Sequence, residues 1–285
     1  MAQVSIIILT YNSSGFISNL IKSLISLKED IEILVVDNDS SDETVEIAKK
    51  IEEVRVYETG KNLGFAKGIN FGADKANGKY LLFINPDSVF ENGAISDMTK
   101  ILEEKEKTGI VGGKLIDKDE NSEKSAGKFF GVFETLLLVL GLDEALGVRF
   151  SPNKLSQVDF VSGGFMMVRR NLFEKLNGFD EKLFMYVEDM ELSYRAKKLG
   201  YDTYFTPDTV ISHAGQGSSN REFAVINIYK GILYFYSKHK SKLEYRIVKL
   251  MLKAKAGAIY LLGRITNNSY YINTYKKALT EINNS

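Results

Sequence analysis

Short, nearly continuous apolar runs alternate with amphipathic stretches along the first part of the chain. Val4 to Leu9, Ile33 to Val36, Val54 to Tyr57, Tyr80 to Ile84 and Gly109 to Gly112 have the length and residue types of buried strands. Between them, Phe16 to Leu27, Asp42 to Ile51, Phe65 to Ala76 and Ala94 to Lys105 repeat apolar residues at a spacing near that of a helical turn, which predicts helices. Continuous apolar strands alternating with helices predict a parallel sheet covered on both faces, an α/β fold.

The pattern changes near residue 113. Lys114 to Lys128 is charged and loop-like, 129–148 is apolar and helix-like, and Val158 to Arg169 reads as a strand centred on Ser162-Gly163-Gly164. Leu183, Val187, Met190 and Tyr194 then fall on one helical face, with Glu188, Glu191 and Arg195 on another, where Glu191 and Arg195 make an i,i+4 pair. From Glu222 onward helical patterns prevail. The chain therefore divides into residues 1–113, residues 114–220 and an appended helical region, 221–285.

Open sheets of this kind bind ligands beyond the carboxyl ends of their strands. Those ends are polar here: Thr10-Tyr11-Asn12, Asp37-Asn38-Asp39-Ser40 and Asn85-Pro86-Asp87. Three polar strand ends on one edge make one candidate site. Ser40 or Ser41 suits the N-cap of the next helix, with Asp42 and Glu43 complementing its dipole. Asp37 precedes that cap, has no evident local duty, and is placed to accept hydrogen bonds from a ribose or a base imide. Gly64, Gly68 and Gly72 recur every four residues, as close helix-to-sheet packing requires, while Asn62 and Asn70 suit a helix whose N-terminus faces a nucleotide. Asp87 offers an oxygen ligand to a divalent cation that bridges a diphosphate. His213 follows an apolar run and either packs structurally or completes an Asp plus His metal site. Asp189 lies apart from both faces of its helix, where it complements the helix dipole or, beside a nucleotide, serves as a general base.

Several classes are excluded. The turn from Thr10 to Gly15 has one glycine where a dinucleotide fold needs GxGxxG, and no phosphate-binding GxxxxGKS or GxxxxGKT occurs. Lys plus Arg and Asp plus Glu both number 37, so no overall field recruits nucleic acid. The absence of cysteine excludes disulfides, thiolate metal sites and a thiol nucleophile, and suits a reducing cytoplasm. Met1-Ala2-Gln3 runs straight into a strand pattern, which argues against secretion. The longest apolar stretch, Phe129 to Leu142, is broken by Glu134 and falls short of the roughly 20 residues that span a bilayer.

In their order and spacing, Val4 to Asn12, Val35 to Ser40, Asn62 to Gly72, Phe83 to Asp87, Ser162 to Met167, Gly178 to Arg195 and His213 resemble the inverting family 2 glycosyltransferases of the GT-A fold, over about residues 3–220. The resemblance implies a Rossmann-like mixed sheet flanked by helices, with a C-terminal helical extension. It implies that Thr10, Tyr11 and Asp37, with Asn12 and Asn38 beside them, cradle the nucleotide base, and that Asn62, Gly64, Ala66 and Asn70 close around base and ribose. Asn85-Pro86-Asp87 stands where the family carries a DxD motif, with Asn85 replacing its first Asp. Asp87 is then the ligand for Mg2+ or Mn2+, and His213 the second. Gly163 and Gly164 approach the donor sugar or the acceptor, Glu188 and Asp189 match an acidic pair, and Asp189 is the base. The Asn-Pro-Asp form and the segment from Gly178 to Tyr201 resemble the rhamnosyltransferase-like branch. This implies dTDP-L-rhamnose, or else a UDP-sugar, as donor and a glycan or lipid-linked saccharide as acceptor. A nucleotidyltransferase and a non-catalytic sugar-nucleotide or glycan-binding module are the alternatives. The first lacks its glycine-rich basic loop after strand one, and the second does not explain why Asp87, Asp189 and His213 are all in place.

Between Lys230 and Arg264 the sequence holds nine Lys or Arg and one acid, Glu244, interleaved with Tyr, Phe, Ile and Leu. Residues 222–264 are therefore expected either to touch the inner face of the cell membrane peripherally, or to show a basic outer face while packing on the catalytic domain or on a second copy in a homo-oligomer.

Overall fold

The computed structural model describes residues 3–213 and 221–285. Strands and helices alternate as β1 (Val4–Thr10), α1 (Ile17–Ser26), β2 (Ile31–Asp37), α2 (Thr44–Lys49), β3 (Val54–Glu58), α3 (Gly64–Ala73), β4 (Tyr80–Ile84), β5 (Ser88–Asn92), α4 (Ile95–Glu104) and β6 (Thr108–Ile116). There follow β7 (Ala126–Gly127), α5 (Val132–Leu140), β8 (Arg149–Phe150), β9 (Ser156–Val158), β10 (Phe160–Val161), β11 (Phe165–Arg169), α6 (Arg170–Lys175), α7 (Glu188–Lys198) and β12 (Asp202–His213). Three helices end the chain: α8 (Arg221–His239), α9 (Lys242–Thr266) and α10 (Ser269–Asn284).

The main sheet runs β3-β2-β1-β4-β11-β6-β12-β5, with β9 paired to β12. β3, β2, β1 and β4 are parallel neighbours, as their apolar runs predict, whereas β11 enters antiparallel to both β4 and β6. The sheet is therefore mixed. Side chains alternate between its faces: Ile6 and Ile8 of β1 join Leu20 and Ile95 in one core cluster, and Ile7 joins Ile69, Leu172 and Leu192 in the other. On the second face Phe83, Phe173 and Phe179 meet with ring centroids 5.4 to 5.6 Å apart. α3 lies close to the sheet because a Cβ on Gly68 would strike Leu9, and one on Gly72 would strike Ile7 and Val36.

Four local expectations change. The strand over Val158 to Arg169 is broken at Ser162 to Gly164 by a turn, closed by Phe165 N–H donating to the Ser162 carbonyl at 3.2 Å. The apolar stretch 129–148 is helical only over Val132–Leu140, and Gly141 ends it at φ +71°. Leu183 and Val187 are buried but precede α7 instead of lying on it. Ser40 and Ser41 are not N-caps, since α2 starts at Thr44, whose N–H is met by Asp42 Oδ1 at 3.1 Å.

Two compact units are distinguishable. One comprises residues 3–128, Arg149–Phe184 and 188–213, and carries both sheets. The other comprises Phe129–Val148, Met185–Val187 and 221–285, where α5 packs on α9, and α8, α9 and α10 pack on one another. Its interior includes Tyr236, whose hydroxyl lies 2.9 Å from that of Thr135. Among the described residues no helix is long and apolar enough to cross a membrane.

Candidate active site

Parallel pairing sets Thr10 beside Asp37 at the carboxyl ends of β1 and β2. Thr10 Oγ1 donates to Asp37 Oδ1 at 2.9 Å, Ser40 Oγ donates to the same oxygen at 2.6 Å, and the Ser40 N–H donates to Oδ2 at 2.8 Å. Asp37 thus has a structural duty, and against the sequence expectation two of its three bonds are local, from Ser40 three residues on. Asn38 is equally engaged: its amide donates to Asn62 Oδ1 and the Gly64 carbonyl, and its oxygen accepts from the Leu63 N–H at 2.9 Å. Asn12 ties the first loop to the second, accepting from the Ser41 N–H and donating its own N–H to Ser40 Oγ, both at 2.8 Å. Tyr11, with 37% of its surface exposed, is accessible at this edge, as are Asn12 and Asn62.

α3 starts at Gly64 with φ +78°, and a Cβ there would stand 2.5 Å from the Phe184 carbonyl oxygen. The same oxygen accepts the Phe65 N–H at 2.6 Å, so this glycine lets the 178–184 segment close against the helix start. Ala66 is fully buried. Asn70 is committed elsewhere than a nucleotide: its amide oxygen accepts from Phe179 N–H at 2.8 Å and its amide nitrogen donates to the Phe179 carbonyl at 2.9 Å.

The Ser162–Gly164 turn joins two other groups. Gly163 N–H donates to Asp189 Oδ2 at 3.0 Å, and the Gly164 carbonyl accepts from Asn85 N–H at 3.1 Å. A Cβ on Gly164 would fall 2.7 Å from the Asn85 side-chain nitrogen, so only glycine allows this approach. Asp189 and Glu188 open α7. Tyr186 and Val187, just before them, both take φ +72°, which is strained for a β-branched valine and turns the chain into the helix. Farther along, Glu191 is buried and pairs with Arg195 at 2.8 Å, while the guanidinium also donates to the Leu176 and Gly178 carbonyls. That pair is structural.

Asp189 keeps some solvent exposure but is surrounded largely by protein, and burial pushes its pKa above the usual aspartate range. The Gly163 and Met190 N–H groups and the charge of Arg149 oppose that rise. Glu188 is buried, its Oε2 has no hydrogen-bond partner, and burial together with the neighbouring Asp189 charge holds its pKa well above the normal value.

Asp87 is brought to His213 by a strand pair absent from the sequence expectation: β5 runs antiparallel to the end of β12, with Ser88 opposite His213. His213 Nε2 lies 3.3 Å from Asp87 Oδ2, within ion-pair range but outside hydrogen-bond geometry, so this buried oxygen has no hydrogen-bond partner among the described residues. Nδ1 of the ring lies 3.4 Å from Glu123. Chiefly through Asp87, these carboxylates raise the His213 pKa to about 9. A buried carboxylate oxygen with no donor among the described residues, beside an imidazole that would give up its proton on ligation, fits a small divalent cation. Among the described residues no group of three or more His, Asp or Glu is placed to hold a metal by itself. Glu123 and Arg149 were not singled out from sequence; both sit in irregular, charged surroundings with no periodic or motif signal.

The sheet therefore carries two polar clusters beyond its carboxyl edge. The Thr10–Asp37–Asn38–Asn62 cluster is internally satisfied. The cluster around Gly163 and Gly164 links Asp189 to Asn85 and the Asp87 turn.

Comparisons with known proteins give the chain relatives in sequence and in fold. The profile described as "Glycosyl transferase family 2" matches residues 5–177. The N-acetylglucosaminyl-diphospho-decaprenol L-rhamnosyltransferase of Mycobacterium tuberculosis is 25% identical over 244 residues, 76% of this chain and 78% of its own. Rhamnosyltransferase WbbL of Escherichia coli is 26% identical over 214 residues, 72% of this chain and 81% of its own. Among solved structures, mannosyltransferase PcManGT from Pyrobaculum calidifontis, in complex with GDP-Man and Mn2+, superposes with a TM-score of 0.60 at 15% identity, covering 99% of this chain and 86% of that one. S. aureus TarS 1-349 in complex with UDP-GlcNAc also gives 0.60, at 18% identity, over 97% and 81%. The fold is that of the GT-A glycosyltransferases.

Proposed function

The chain belongs to glycosyl transferase family 2, and we propose that it transfers a sugar, with inversion, from a nucleoside-diphosphate donor to a hydroxyl of a glycan or lipid-linked saccharide. The observation that carries this reading is the Ser162–Gly164 turn, which holds Asp189 on one side and Asn85 on the other. A base and the diphosphate end of a donor need that kind of neighbouring placement.

In this reading an acceptor hydroxyl gives its proton to Asp189 as its oxygen attacks the anomeric carbon from the face opposite the diphosphate. The bond from that carbon to the diphosphate oxygen breaks, and its electron pair leaves with the diphosphate. Gly163 N–H, Met190 N–H and Arg149 favour the ionised Asp189 that accepts the proton. Asp87 and His213 are the residues that would hold Mg2+ or Mn2+. When bound, such an ion neutralises charge on the diphosphate leaving group. The exposed Tyr11 ring receives the base, and the Asp37–Asn38–Asn62 cluster fixes the loops around it. The backbone at Gly163 and Gly164 approaches the sugar.

The donor we propose is dTDP-L-rhamnose, supported by the named rhamnosyltransferases among the relatives. The first of these also supports a lipid-diphosphate-linked saccharide as acceptor. Calorimetric titration with dTDP and with UDP, each with and without Mn2+, tests the donor site. Mn2+-dependent binding of dTDP over UDP is the expected outcome, and binding of neither diphosphate would overturn the transferase reading.

A further inference from the structure

α9 has two apolar faces, and only one is used inside the protein. Val248, Leu252, Ala256 and Gly263 are buried. Leu243, Ile247, Leu250, Leu261 and Ile265 fall together on the opposite side at 100° per residue, and all are exposed, Leu243 and Leu250 at 68% and Ile265 at 82%. About a quarter turn to one side of this stripe stand Arg246, Lys253 and Arg264, also exposed. α5, which packs on α9, adds exposed Phe133 and Leu140 to the same unit.

We infer that this stripe of α9 seats the protein on an anionic lipid surface, the helix lying in the plane of the interface. Apolar side chains along one side with cations along its flank are what a helix presents when it dips into acyl chains while its Lys and Arg reach headgroup phosphates. Charge selects lipid over a second copy of the chain. Two such helices pairing antiparallel would bring the two basic flanks together. Pairing in parallel would set each basic flank against Met251 and Leu262, and the one acid on the helix, Glu244, is already bound to Ser241 in its capping box. Neither arrangement supplies a counter-charge, and an anionic bilayer does. No described helix is long and apolar enough to cross the bilayer, which fits contact with one leaflet.

The test is flotation of the full chain with vesicles of phosphatidylcholine alone and of phosphatidylcholine mixed with phosphatidylglycerol, at low salt. The protein should float with the mixed vesicles and stay behind with phosphatidylcholine. The double substitution Leu250→Gln with Ile265→Gln should weaken binding about tenfold or more. Arg246→Ala with Lys253→Ala should remove the preference for anionic lipid. Both variants change exposed positions, and unchanged thermal unfolding and diphosphate binding would show that the fold is kept. Absence of flotation with anionic vesicles, or flotation of the Leu250 and Ile265 variant like the parent, overturns the inference. So does sedimentation showing a dimer that this same variant abolishes in a protein that ignores vesicles.

Discussion

Asp37 and Asp87 look alike in sequence, each an acid at or just beyond the end of a parallel strand, yet the structure surrounds them in opposite ways. Asp37 is buried with three hydrogen bonds to its oxygens, from Thr10 and twice from Ser40. Asp87 is buried with Oδ2 lacking any hydrogen-bond partner among the described residues and with the His213 imidazole opposite it. Burying a carboxylate without donors is costly, so a fold keeps one where something else is to meet it. The contrast separates residues that build the carboxyl edge of the sheet from those left open for chemistry. Asn38 and Asn70 fall with the first kind. Asp189, held by Gly163 and Met190 N–H groups yet still partly exposed, falls with the second.

The sharpest test of the open class is Asp189→Asn. The amide keeps the shape but cannot take a proton, so kcat should fall by about 10²- to 10⁴-fold, while Mn2+-dependent binding of dTDP persists. Near-normal transfer by this variant would remove Asp189 as the base. The next effect is smaller and concerns stability. Asp37→Asn must turn an amide N–H2 toward groups that donate, and should cost about 1–3 kcal/mol in chemical denaturation. Asp87→Asn loses at Oδ2 the ion pair with His213, 3.3 Å away and outside hydrogen-bond geometry, so it should cost less than the Asp37 variant and instead weaken dTDP binding in Mn2+. Equal destabilisation by the two would erase the distinction between builder and open ligand.

Much of the frame was legible because parallel, doubly covered strands carry apolar runs, as in Ile6 to Leu9 of β1, Ile33 to Val36 of β2 and all of β4, while the edge strand β3 alternates. β11 was not legible as a separate antiparallel strand, because Ser162-Gly163-Gly164 sits between apolar runs that look continuous when only residue type is read. The structural duty of Asp37 was hidden in part for a related reason. Ser40 is local, but the third bond comes from Thr10, 27 residues away and brought alongside only by the register of β1 on β2. Asp87 and His213, 126 positions apart by their numbers (213 − 87), meet through β5, a strand too short and polar to announce itself. Order and spacing of motifs singled out Asp189, but not Arg149 and Glu123. A charged residue in an irregular segment carries no pattern until folding gives it a neighbour.

The smallest predicted effect uses those neighbours. Burial raises the Asp189 pKa, Arg149 pulls it the other way, and the charge of Asp189 holds up that of the adjacent Glu188. A base must be ionised to accept a proton, so the rate should fall as pH drops through the folded-state pKa of Asp189, at a pH above the ordinary aspartate range. Glu188→Gln replaces a carboxyl that burial and the Asp189 charge keep protonated, and should leave this acid limb where it is. Arg149→Gln removes an opposite charge and should move it to higher pH. The neutral-pH plateau of Glu188→Gln should stay close to that of the parent. Stability obeys the same signs. A carboxyl whose pKa is raised by folding contributes most below its unfolded pKa, and that contribution is lost as pH rises through the folded one. Glu188→Gln should therefore flatten the loss of Tm on raising pH from the acid side. A shift to higher pH in Arg149→Gln with none in Glu188→Gln would place the guanidinium in the field of the base; no shift in Arg149→Gln would mean that the limb reports some other group.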